Sequence, residues 1–485
     1  MSGRNYSPKS PNRIFFIVGI ILICAALVAG AIALVFFLNA DGNGETTMPT
    51  APSTAPPTMP TEPATAPTEP TPDGVTEAEA QALVAQADFI AAGYDYEKAI
   101  ALLKNAPYYN EQPLWAEKVA AYEKADSQLV VFKDNSSIRH VFFHSLVADT
   151  DRAFDGDFDS FNYNLFMTTV SEFNAILEQM YARGYVLISP YDMVGEVTDE
   201  TGTHFAYKEI RLPEGKIPFL MSQDDLNYYA DMVSTDDGHN KVPEFVNERN
   251  DGFAHKILIG EDGYPTCEYM QKDGTIVTGD YDLVPLLERF IQEHPDFSYH
   301  GARAMLGVTG FEGVFGYRTN PNYRAAMGDE AFEKEVADAK AVAQCLKEHG
   351  WLVVSHSYGH PAYGEISAER VERDSTRWEE TVQPIVGETD ILIFPYGSDI
   401  HNWRPIPADN EKFVTLYEDG YRYFFNVDSN QYWNQFGKTY FRGGRRNLDG
   451  YRMYHNPDKL ADLFDVSKVF DEARPTPVPS LSGGM

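Results

Sequence analysis

Short apolar runs that alternate with helical stretches constrain this chain more than any other feature of its sequence. From about Leu129 onward, runs such as Ile217–Met221 and Trp351–Val354 are apolar on both faces of a strand. Strands of this kind are typical of a parallel sheet, which is buried on both sides. Helical stretches, among them Leu283–Glu293 and Glu330–His349, lie between the runs. This alternation predicts an α/β fold with right-handed crossovers, most simply a barrel.

Two histidines stand at the end of one apolar run. After Trp351–Val354 come His356 and His360, and Gly359 and Pro361 then break the strand. In parallel α/β folds the chain leaves each strand at the carboxyl edge, where ligands usually bind. A turn or helix start can place both imidazoles on one face, which makes the pair a candidate metal site. Surface or capping histidines are the alternative.

A second histidine pair lies in the run Ile138–His144. If that run is a strand, the four residues from His140 to His144 span about 13 Å. The two rings then cannot share one metal.

Two adjacent acids follow another apolar run. Ile217–Met221 leads through Ser222 and Gln223 into Asp224 and Asp225. Neighbouring side chains on a strand point to opposite faces, so one acid can bind a metal while the other faces a reacting water. Two imidazoles and one carboxylate leave open positions, which indicates a catalytic metal site. The metal would polarise an acyl oxygen, and the second acid would act as the base.

Charge and composition exclude some partners. The formal net charge is −33, and nucleic acid binding relies on Lys and Arg that neutralise phosphates, so we expect no nucleic acid partner. Uncharged glycans are compatible with this charge, and the 29 Tyr and 5 Trp offer rings that can stack on sugars. Three cysteines are too few for a disulfide scaffold, and we expect Cys267 and Cys345 to be free.

The amino-terminal part predicts a membrane anchor. Ile14–Leu38 contains 25 residues without a charge, which is long enough to span a bilayer. Basic residues precede this stretch and acidic ones follow, so the positive-inside rule places residues 1–13 in the cytoplasm. The apolar region of a cleaved signal peptide would be shorter. We therefore expect a single-pass signal anchor in the cell membrane, at 14–38, with the remaining chain extracellular.

A linker and a small helical segment follow the anchor. Residues 39–74 are rich in Thr, Pro and Ala and cannot bury a core, so we expect a disordered linker. In 75–127, helices are predicted after the capping box that Thr76 opens, over Tyr96–Lys104 and after Pro113. Part of this segment resembles half of a tetratricopeptide repeat, which cannot bury its own apolar face. We expect it to pack against the next domain or a protein partner.

From Leu129 to Leu463 the chain resembles the polysaccharide deacetylase family, also known as the NodB homology domain or the fourth carbohydrate esterase family. His356–His360 matches the family motif H-[ST]-x-x-H, and Ser222–Leu226 is similar to its T-F-D-D-G motif. The resemblance implies a distorted β/α barrel, here at 128–470. It also implies removal of N- or O-acetyl groups from glycans, with Zn²⁺ or another divalent metal such as Co²⁺, Mn²⁺ or Ni²⁺.

The resemblance gives roles to the matched residues. Asp225, His356 and His360 would hold the metal, and Asp224 would be the general base. An alternative candidate for the acidic motif is Thr235–Gly238. Its sequence is closer to the family motif, but it follows no apolar run.

Two family motifs are matched only in part. Pro395–Gly397 fits the end of R-x-P-[YF]-G, but Ile393 replaces the Arg. The backbone N–H of Tyr396 would help to hold the oxyanion. Arg442 is either a substitute for the missing Arg or an ordinary structural residue.

The late histidine motif that supplies the general acid of the family has no clear counterpart. His144 and His455 are the candidates. The segment Tyr281–Thr319 is longer than the usual connection between the first two motifs, and we expect an insertion beside the site.

Two functional hypotheses follow from these patterns. The first is a membrane-anchored, metal-dependent deacetylase of a cell-wall or extracellular polysaccharide. The second is an inactive barrel that serves as a glycan-binding or cell-envelope scaffold, which the altered motifs favour. A glycosidase would need two carboxylates about 5 to 9.5 Å apart, which two adjacent acids do not supply. Residues 471–485 are predicted to be a disordered tail.

Overall fold

The computed structural model describes residues 75–157, 159–229, 251–402, 404–427 and 433–481. The anchor predicted at 14–38, the linker predicted at 39–74 and the rival acidic motif Thr235–Gly238 lie outside these ranges. Within them, no helix combines the length and the hydropathy that crossing a membrane would require.

The strands of the described residues are, in chain order, β1 Val130–Val131, β2 Arg139–Phe143, β3 Tyr185–Leu187, β4 Val194–Asp199, β5 Gly202–Tyr207, β6 Arg211–Leu212, β7 Ile217–Gln223, β8 Lys256–Ile259, β9 Pro265–Met270, β10 Ile276–Gly279, β11 Met305–Val308, β12 Leu352–Ser355, β13 Ile391–Ile393, β14 Tyr423–Val427, β15 Asn434–Phe436 and β16 Phe441–Asn447.

The α-helices are α1 Glu77–Ala92, α2 Tyr96–Lys104, α3 Pro113–Asp126, α4 Thr150–Ala153, α5 Ser160–Phe166, α6 Val170–Ala182, α7 Pro190–Met193, α8 Leu283–Glu293, α9 Arg324–Met327, α10 Asp329–Glu348, α11 Ala368–Thr381, α12 Gln383–Val386, α13 Glu411–Glu418 and α14 Gly450–His455.

Seven parallel strands close into a barrel. Their order around the ring is β11, β12, β13, β14, β16, β2 and β7, and the end of β7 pairs again with β11. β3 pairs with the first half of β7, so the wall is distorted at this position. The strands are buried almost throughout, as the apolar runs predict. The predicted α/β barrel is therefore confirmed at the level of its architecture.

Two barrel strands differ from the sequence prediction. β11 lies inside Tyr281–Thr319, so the expectation that this segment is an insertion is wrong. The element added next to the barrel is instead the antiparallel sheet of β8, β9 and β10. β16 carries Arg442, Arg445 and Arg446 on a strand that is buried over most of its length. Arginines are rarely buried unless they are paired, so composition alone does not indicate a strand there.

The helical segment α1 to α3 packs near the amino end of the barrel, through the residues that follow α1. The predicted capping box at Thr76 is present, and Gly93 follows α1. The Tyr94 ring packs in one apolar cluster with Met305, Tyr423 and Phe441, which are the first residues of β11, β14 and β16. The backbone approaches so closely here that a Cβ on Gly93 would lie 2.9 Å from the carbonyl oxygen of Ser298. The segment thus packs against the barrel, and a separate protein partner for it stays a prediction.

The carboxyl-terminal segment packs against α5 and α6, which differs from the tail predicted to be disordered at 471–485. Arg474 is 2% exposed and forms an ion pair with the buried Glu172 (2.6 Å). Its guanidinium also donates to the carbonyl of Asn164 (3.0 Å). A buried arginine needs such partners, and these bonds fix Arg474 against the barrel domain. Further along, the carbonyls of Val478 and Pro479 contact Nε2 of His455, and the structure describes the chain as far as residue 481. Cys267 and Cys345 are buried and free, as predicted.

Candidate metal centre

The carboxyl end of β7 leads into two acids that face different partners. The backbone N–H of Asp224 donates to the carbonyl of Phe143 at the end of β2 (2.8 Å). Asp225 has a φ of +56°, a left-handed conformation that changes the direction of the chain. The Asp224 carboxylate consequently faces the buried Arg445, and the Asp225 carboxylate faces His360.

The loop after β12 brings two imidazoles to Asp225. Nε2 of His360 lies 3.6 Å, and Nε2 of His356 lies 4.0 Å, from Oδ2 of Asp225. One ligand atom from each residue lies within 4.8 Å of the other two. In a tetrahedral zinc site with bonds of about 2.1 Å, neighbouring ligand atoms are about 3.4 Å apart. The metal triad, as we call Asp225, His356 and His360, therefore fits a divalent metal in donor type and nearly in spacing.

Hydrogen bonds orient two members of the metal triad. Nδ1 of His356 donates to the carbonyl of Ile393 (2.9 Å), which leaves the Nε2 lone pair facing Asp225. Burial lowers the pKa of His356, which favours the neutral imidazole that metals bind. The Tyr229 hydroxyl donates to Oδ1 of Asp225 (2.7 Å) and leaves Oδ2 for a metal. Burial raises the pKa of Asp225, but the neighbouring His360 and His356 more than offset this and hold it below its ordinary value.

Asp374 on α11 fixes the loop that carries the histidines. Its carboxylate accepts the backbone N–H groups of Tyr358 (2.8 Å) and Gly359 (2.9 Å). Oγ of Ser357 accepts the backbone N–H of His360 (3.0 Å). Ser357 and His360 have φ values of +67° and +54°, which are costly for residues other than glycine. The surrounding hydrogen bonds hold this conformation, and such backbone strain is common at functional sites.

Asp224 is held by a bidentate ion pair within the barrel. Nη1 of Arg445 donates to Oδ1 of Asp224 (2.6 Å), and Nη2 donates to Oδ2 (2.8 Å). Nη1 also donates to Oγ of Ser222 (3.0 Å), which in turn contacts Nε2 of His140 (3.1 Å). Burial raises the pKa of Asp224, but Arg445 and then His356 offset this and leave it below its ordinary value. Asp224 is thus a fixed, ionised carboxylate.

Arg445, and not Arg442, contacts the acid that the family resemblance identifies as the base. Arg442 donates instead to Oδ1 of Asp399 (2.9 Å) and to the carbonyl of Arg404 (2.7 Å). Arg442 belongs to a separate buried cluster. Its contacts therefore fit the interpretation that it is an ordinary structural residue. The position of Arg445 could not be found from a motif, because it lies on a strand that the sequence does not indicate.

His144 lies at the same edge of the barrel as the two acids. It follows β2 directly, and β2 pairs Phe143 with Gln223 of β7, so His144 leaves the barrel beside Asp224. Nδ1 of His144 donates to the carbonyl of Phe166 (3.3 Å), and among the described residues Nε2 has no hydrogen-bond partner. His140, four residues earlier on β2, is buried and contacts Ser222, whereas His144 lies beyond the end of the strand, in agreement with the prediction that the two rings do not share one metal.

His455 and Tyr396 have different surroundings. Nε2 of His455 faces the carbonyls of Val478 (3.1 Å) and Pro479 (2.9 Å), so this ring binds the carboxyl-terminal segment. The ring of Tyr396 lies 4.5 Å from that of His360, measured between ring centroids, and Tyr396 is 74% exposed. Of the predicted catalytic residues, Tyr396 therefore adjoins the metal triad, and His455 has its polar contacts elsewhere.

Three residues that support the site are not among those predicted from the sequence. Tyr229 and Arg445 each hold one of the two acids, and Asp374 holds the histidine loop. Tyr229 follows Asp225 by four residues, and this short spacing was the one available signal. Arg445 and Asp374 lie on other elements, so only the fold reveals their contacts.

Comparisons with known proteins give little further information. No family model matches the chain. No curated protein matches it. Among solved structures, the chain is similar to the Streptococcus pyogenes deacetylase PplD in complex with acetate, over 69% of this chain and 98% of that chain, with 11% identity and a TM-score of 0.34. At this similarity, the geometry of the site has to support any functional assignment.

Proposed function

We propose that this chain is a metal-dependent deacetylase of the polysaccharide deacetylase type, which removes acetyl groups from a cell-wall or other extracellular polysaccharide. The observation that carries the proposal is the convergence of Asp225, His356 and His360 beside a separately held Asp224. Three protein ligands leave positions open for substrate, and a second carboxylate supplies a base. Imidazole and carboxylate donors suit Zn²⁺, with Co²⁺, Mn²⁺ or Ni²⁺ as alternatives.

In this proposal, the two acids have different tasks. A divalent metal held by Asp225, His356 and His360 would act as a Lewis acid on the acetyl carbonyl and the attacking water. Asp224 takes the proton of that water. Arg445 occupies one lone pair on each oxygen of Asp224, and a carboxylate oxygen has two, so a lone pair remains to accept the proton. The backbone N–H of Tyr396 donates to the oxygen that becomes negatively charged.

His144 is our proposed general acid. It would protonate the leaving amine or alkoxide through Nε2, because Nδ1 already donates to the carbonyl of Phe166. Its place in the fold supports this role, because Phe143 of β2 pairs with Gln223 of β7 and the chain then continues to His144 on one strand and to Asp224 on the other. His455 is the weaker candidate, since its Nε2 faces two backbone carbonyls.

The alternative of an inactive scaffold loses one of its arguments. That alternative depended partly on the absence of the motif's arginine, whose position is occupied by Ile393. Arg445 on β16 supplies a bidentate partner for Asp224 instead. The altered acidic motif and the absent late histidine motif still support it. Saturable glycan binding without turnover, unaffected by a chelator, would favour the scaffold.

Metal content and acetate release test the proposed function together. Elemental analysis of the purified chain should find about one divalent ion per molecule. The ion should be lost in Asp225→Ala and His360→Ala and retained in Asp224→Asn. Acetate release from acetylated glycans should require both the metal and Asp224. Full activity in a folded, metal-loaded Asp224→Asn variant would contradict the mechanism.

The proposed location is the outer side of a cell membrane. The sequence pattern of Ile14–Leu38 supports a single-pass anchor, and the acidic head from residue 75 onward would be extracellular. Protease added to intact cells should therefore digest the head. Protection of the head in intact cells, with digestion after lysis, would contradict this orientation.

A further inference from the structure

The start of α8 carries a buried carboxylate that does not cap the helix. Asp282 is 0% exposed and occupies the N-cap position of α8, yet its side chain makes no capping hydrogen bond. An N-cap aspartate normally accepts a backbone N–H of the first helical turn. Burying a charged group costs free energy unless it is paired or hydrogen-bonded. The side chain of Asp282 therefore has a role other than helix capping.

Asp282 joins two loops at the carboxyl edge of the barrel. Oδ1 accepts the backbone N–H of Leu146 (2.8 Å), in the loop after β2. Oδ2 accepts Nε2 of Gln223 (3.0 Å), the last residue of β7, and the hydroxyl of Tyr228 in the loop that follows. All three donors are neutral, and they belong to elements other than α8. A single side chain thus holds both loops.

The loop after β7 is anchored to Asp282 on both sides of the two acids. Gln223 directly precedes these acids, and Tyr228 follows Asp225 by three residues. Asp225 and Tyr228 have φ values of +56° and +50°, which cost free energy in residues other than glycine. Such a conformation persists only where the surrounding structure imposes it. The two hydrogen bonds to Asp282 supply part of this restraint.

The loop after β2 is anchored on both sides of His144. The preceding residue, Phe143, pairs with the last residue of β7, and its carbonyl accepts the backbone N–H of Asp224 (2.8 Å). Leu146, two residues after His144, donates its N–H to Asp282. Because both loops are bonded to the same carboxylate, Asp282 helps to determine how far His144 lies from the acids that follow β7.

Gln223 makes one of these contacts possible. It occupies the position of the phenylalanine in the T-F-D-D-G motif, and a phenylalanine side chain has no donor for Asp282. Oε1 of Gln223 is buried and has no hydrogen-bond partner among the described residues. A buried amide that is only half satisfied costs free energy, so packing alone does not explain a glutamine at this position. The hydrogen bond to Asp282 explains it.

We propose that Asp282 is a positioning residue, which sets the separation of the metal ligand Asp225 and the proposed acid His144 by holding the loops after β7 and β2 together. This inference rests on the proposed function and adds a residue to its site. The hydrogen bonds of Asp282 go to the loops and not to the metal triad, so it acts through the loops. Replacing a group that orients metal ligands from outside the coordination sphere typically changes metal affinity or activity by about 10- to 100-fold.

Zinc affinity and hydrogen exchange test Asp282 in the full chain without requiring catalysis. Asp282→Ala should weaken Zn²⁺ binding about tenfold, measured by competition with a chromophoric chelator. Backbone amide exchange should rise in Phe143–Ala148 and in Gln223–Tyr228, because the groups that anchor both loops lose their acceptor. Asp282→Asn should restore both properties, since a rotated Gln223 amide can present Oε1 to Nδ2 of the asparagine.

Glu288→Ala is the matched control. Glu288 lies on the same helix, is also 0% exposed, and accepts hydrogen bonds from Arg303 (2.6 Å) and Trp351 (3.0 Å), which precede β11 and β12 at the other end of the barrel. Its loss should lower the free energy of unfolding but leave zinc affinity and exchange in the two loops unchanged at temperatures where the variant is folded. Tyr228→Phe removes only one donor to Asp282 and keeps the ring. It should weaken Zn²⁺ binding less than Asp282→Ala does, and it takes the place of that variant if Asp282→Ala does not fold.

Catalysis gives a separate test of the link to His144. Asp282→Ala should lower kcat for acetate release, and the loss should be smaller in a His144→Gln background, because both substitutions act through the same acid. Losses of kcat that multiply independently in the double variant overturn this link.

The outcomes distinguish the role of Asp282 from the proposed function. Unchanged zinc affinity and exchange in Asp282→Ala overturn the inference, even if the wild type releases acetate. Equal losses in Asp282→Ala and Glu288→Ala also overturn it, because they indicate general destabilisation. Losses in Asp282→Ala with recovery in Asp282→Asn support it, even if no acetate is released and the deacetylase proposal fails. If the wild type binds no Zn²⁺, the exchange data decide by the same comparison.

Discussion

Replacing Arg445 with Met should remove the restraint on the proposed base without touching a metal ligand. Arg445 is fully buried, and the side chain of its partner Asp224 is 5% exposed. The variant leaves a buried carboxylate without a counter-charge, which typically costs about 3–5 kcal/mol of the free energy of unfolding. Urea denaturation in the presence of Zn²⁺ measures this loss.

Arg442→Met is the matched control for this experiment. Arg442 lies on the same strand, is equally buried, and pairs with Asp399, whose side chain is 3% exposed. Its removal should therefore cost a similar free energy of unfolding. Only Arg445 contacts the proposed base, so only Arg445→Met should lower kcat for acetate release, by about 100-fold.

A double variant separates charge from packing. Adding Asp224→Asn to Arg445→Met removes the charge that the single variant leaves unpaired. The free energy of unfolding lost in the double variant should therefore be smaller than the sum for the two single variants. The reasoning is refuted if the losses are additive, or if both arginine variants lose the same share of kcat under conditions where both are folded.

Three further predictions concern histidines and the metal. His360→Ala should lose the divalent ion without unfolding, which elemental analysis and circular dichroism would show; an ion that is retained would place the metal elsewhere. His144→Gln should lower kcat about 100-fold, while His455→Gln should not, and the reverse order in steady-state assays would exchange their roles. Burial, with Arg318 next in effect, lowers the pKa of His255 to about 4 from 6.5. The folded state therefore binds the imidazole proton of His255 less tightly than the unfolded state does. The resulting contribution to the free energy of unfolding is fully present above pH 6.5 and is lost as the pH falls toward 4, by about 3 kcal/mol in total. Urea denaturation at pH 7.5 and 4.5 should show a smaller fall in His255→Gln, and an equal fall would contradict this assignment.

The barrel strands that the sequence predicts are those with apolar residues on both faces. β7, β12 and β13 are of this kind, and their side chains can be buried only between the barrel interior and the surrounding helices. β11 has four residues, one of them glycine. β16 has three arginines, whose partners lie far away in the sequence. Neither strand has a local pattern that would identify it.

The metal triad could be predicted because its residues follow two apolar strands directly. The carboxyl ends of parallel strands meet at one edge, so Asp225 and the two histidines were expected together. Arg445 could not be predicted, because its position depends on register. β16 pairs Arg446 with Val141, and β2 in turn pairs Val141 with Met221 of β7. This pairing across three strands brings Arg445 to Asp224, and no single segment contains that information.

The helices at the amino end of the barrel also determine how the molecule can be attached to a surface. Tyr94 belongs to the same apolar cluster as the first residues of β11, β14 and β16, whereas the metal triad follows the last residues of β7 and β12. The two features therefore occupy opposite ends of the barrel. A protein fixed to a bead through the chain that enters α1 would turn its reacting groups toward the surrounding liquid. Long, branched or cross-linked polymers could then approach without passing between the protein and the support.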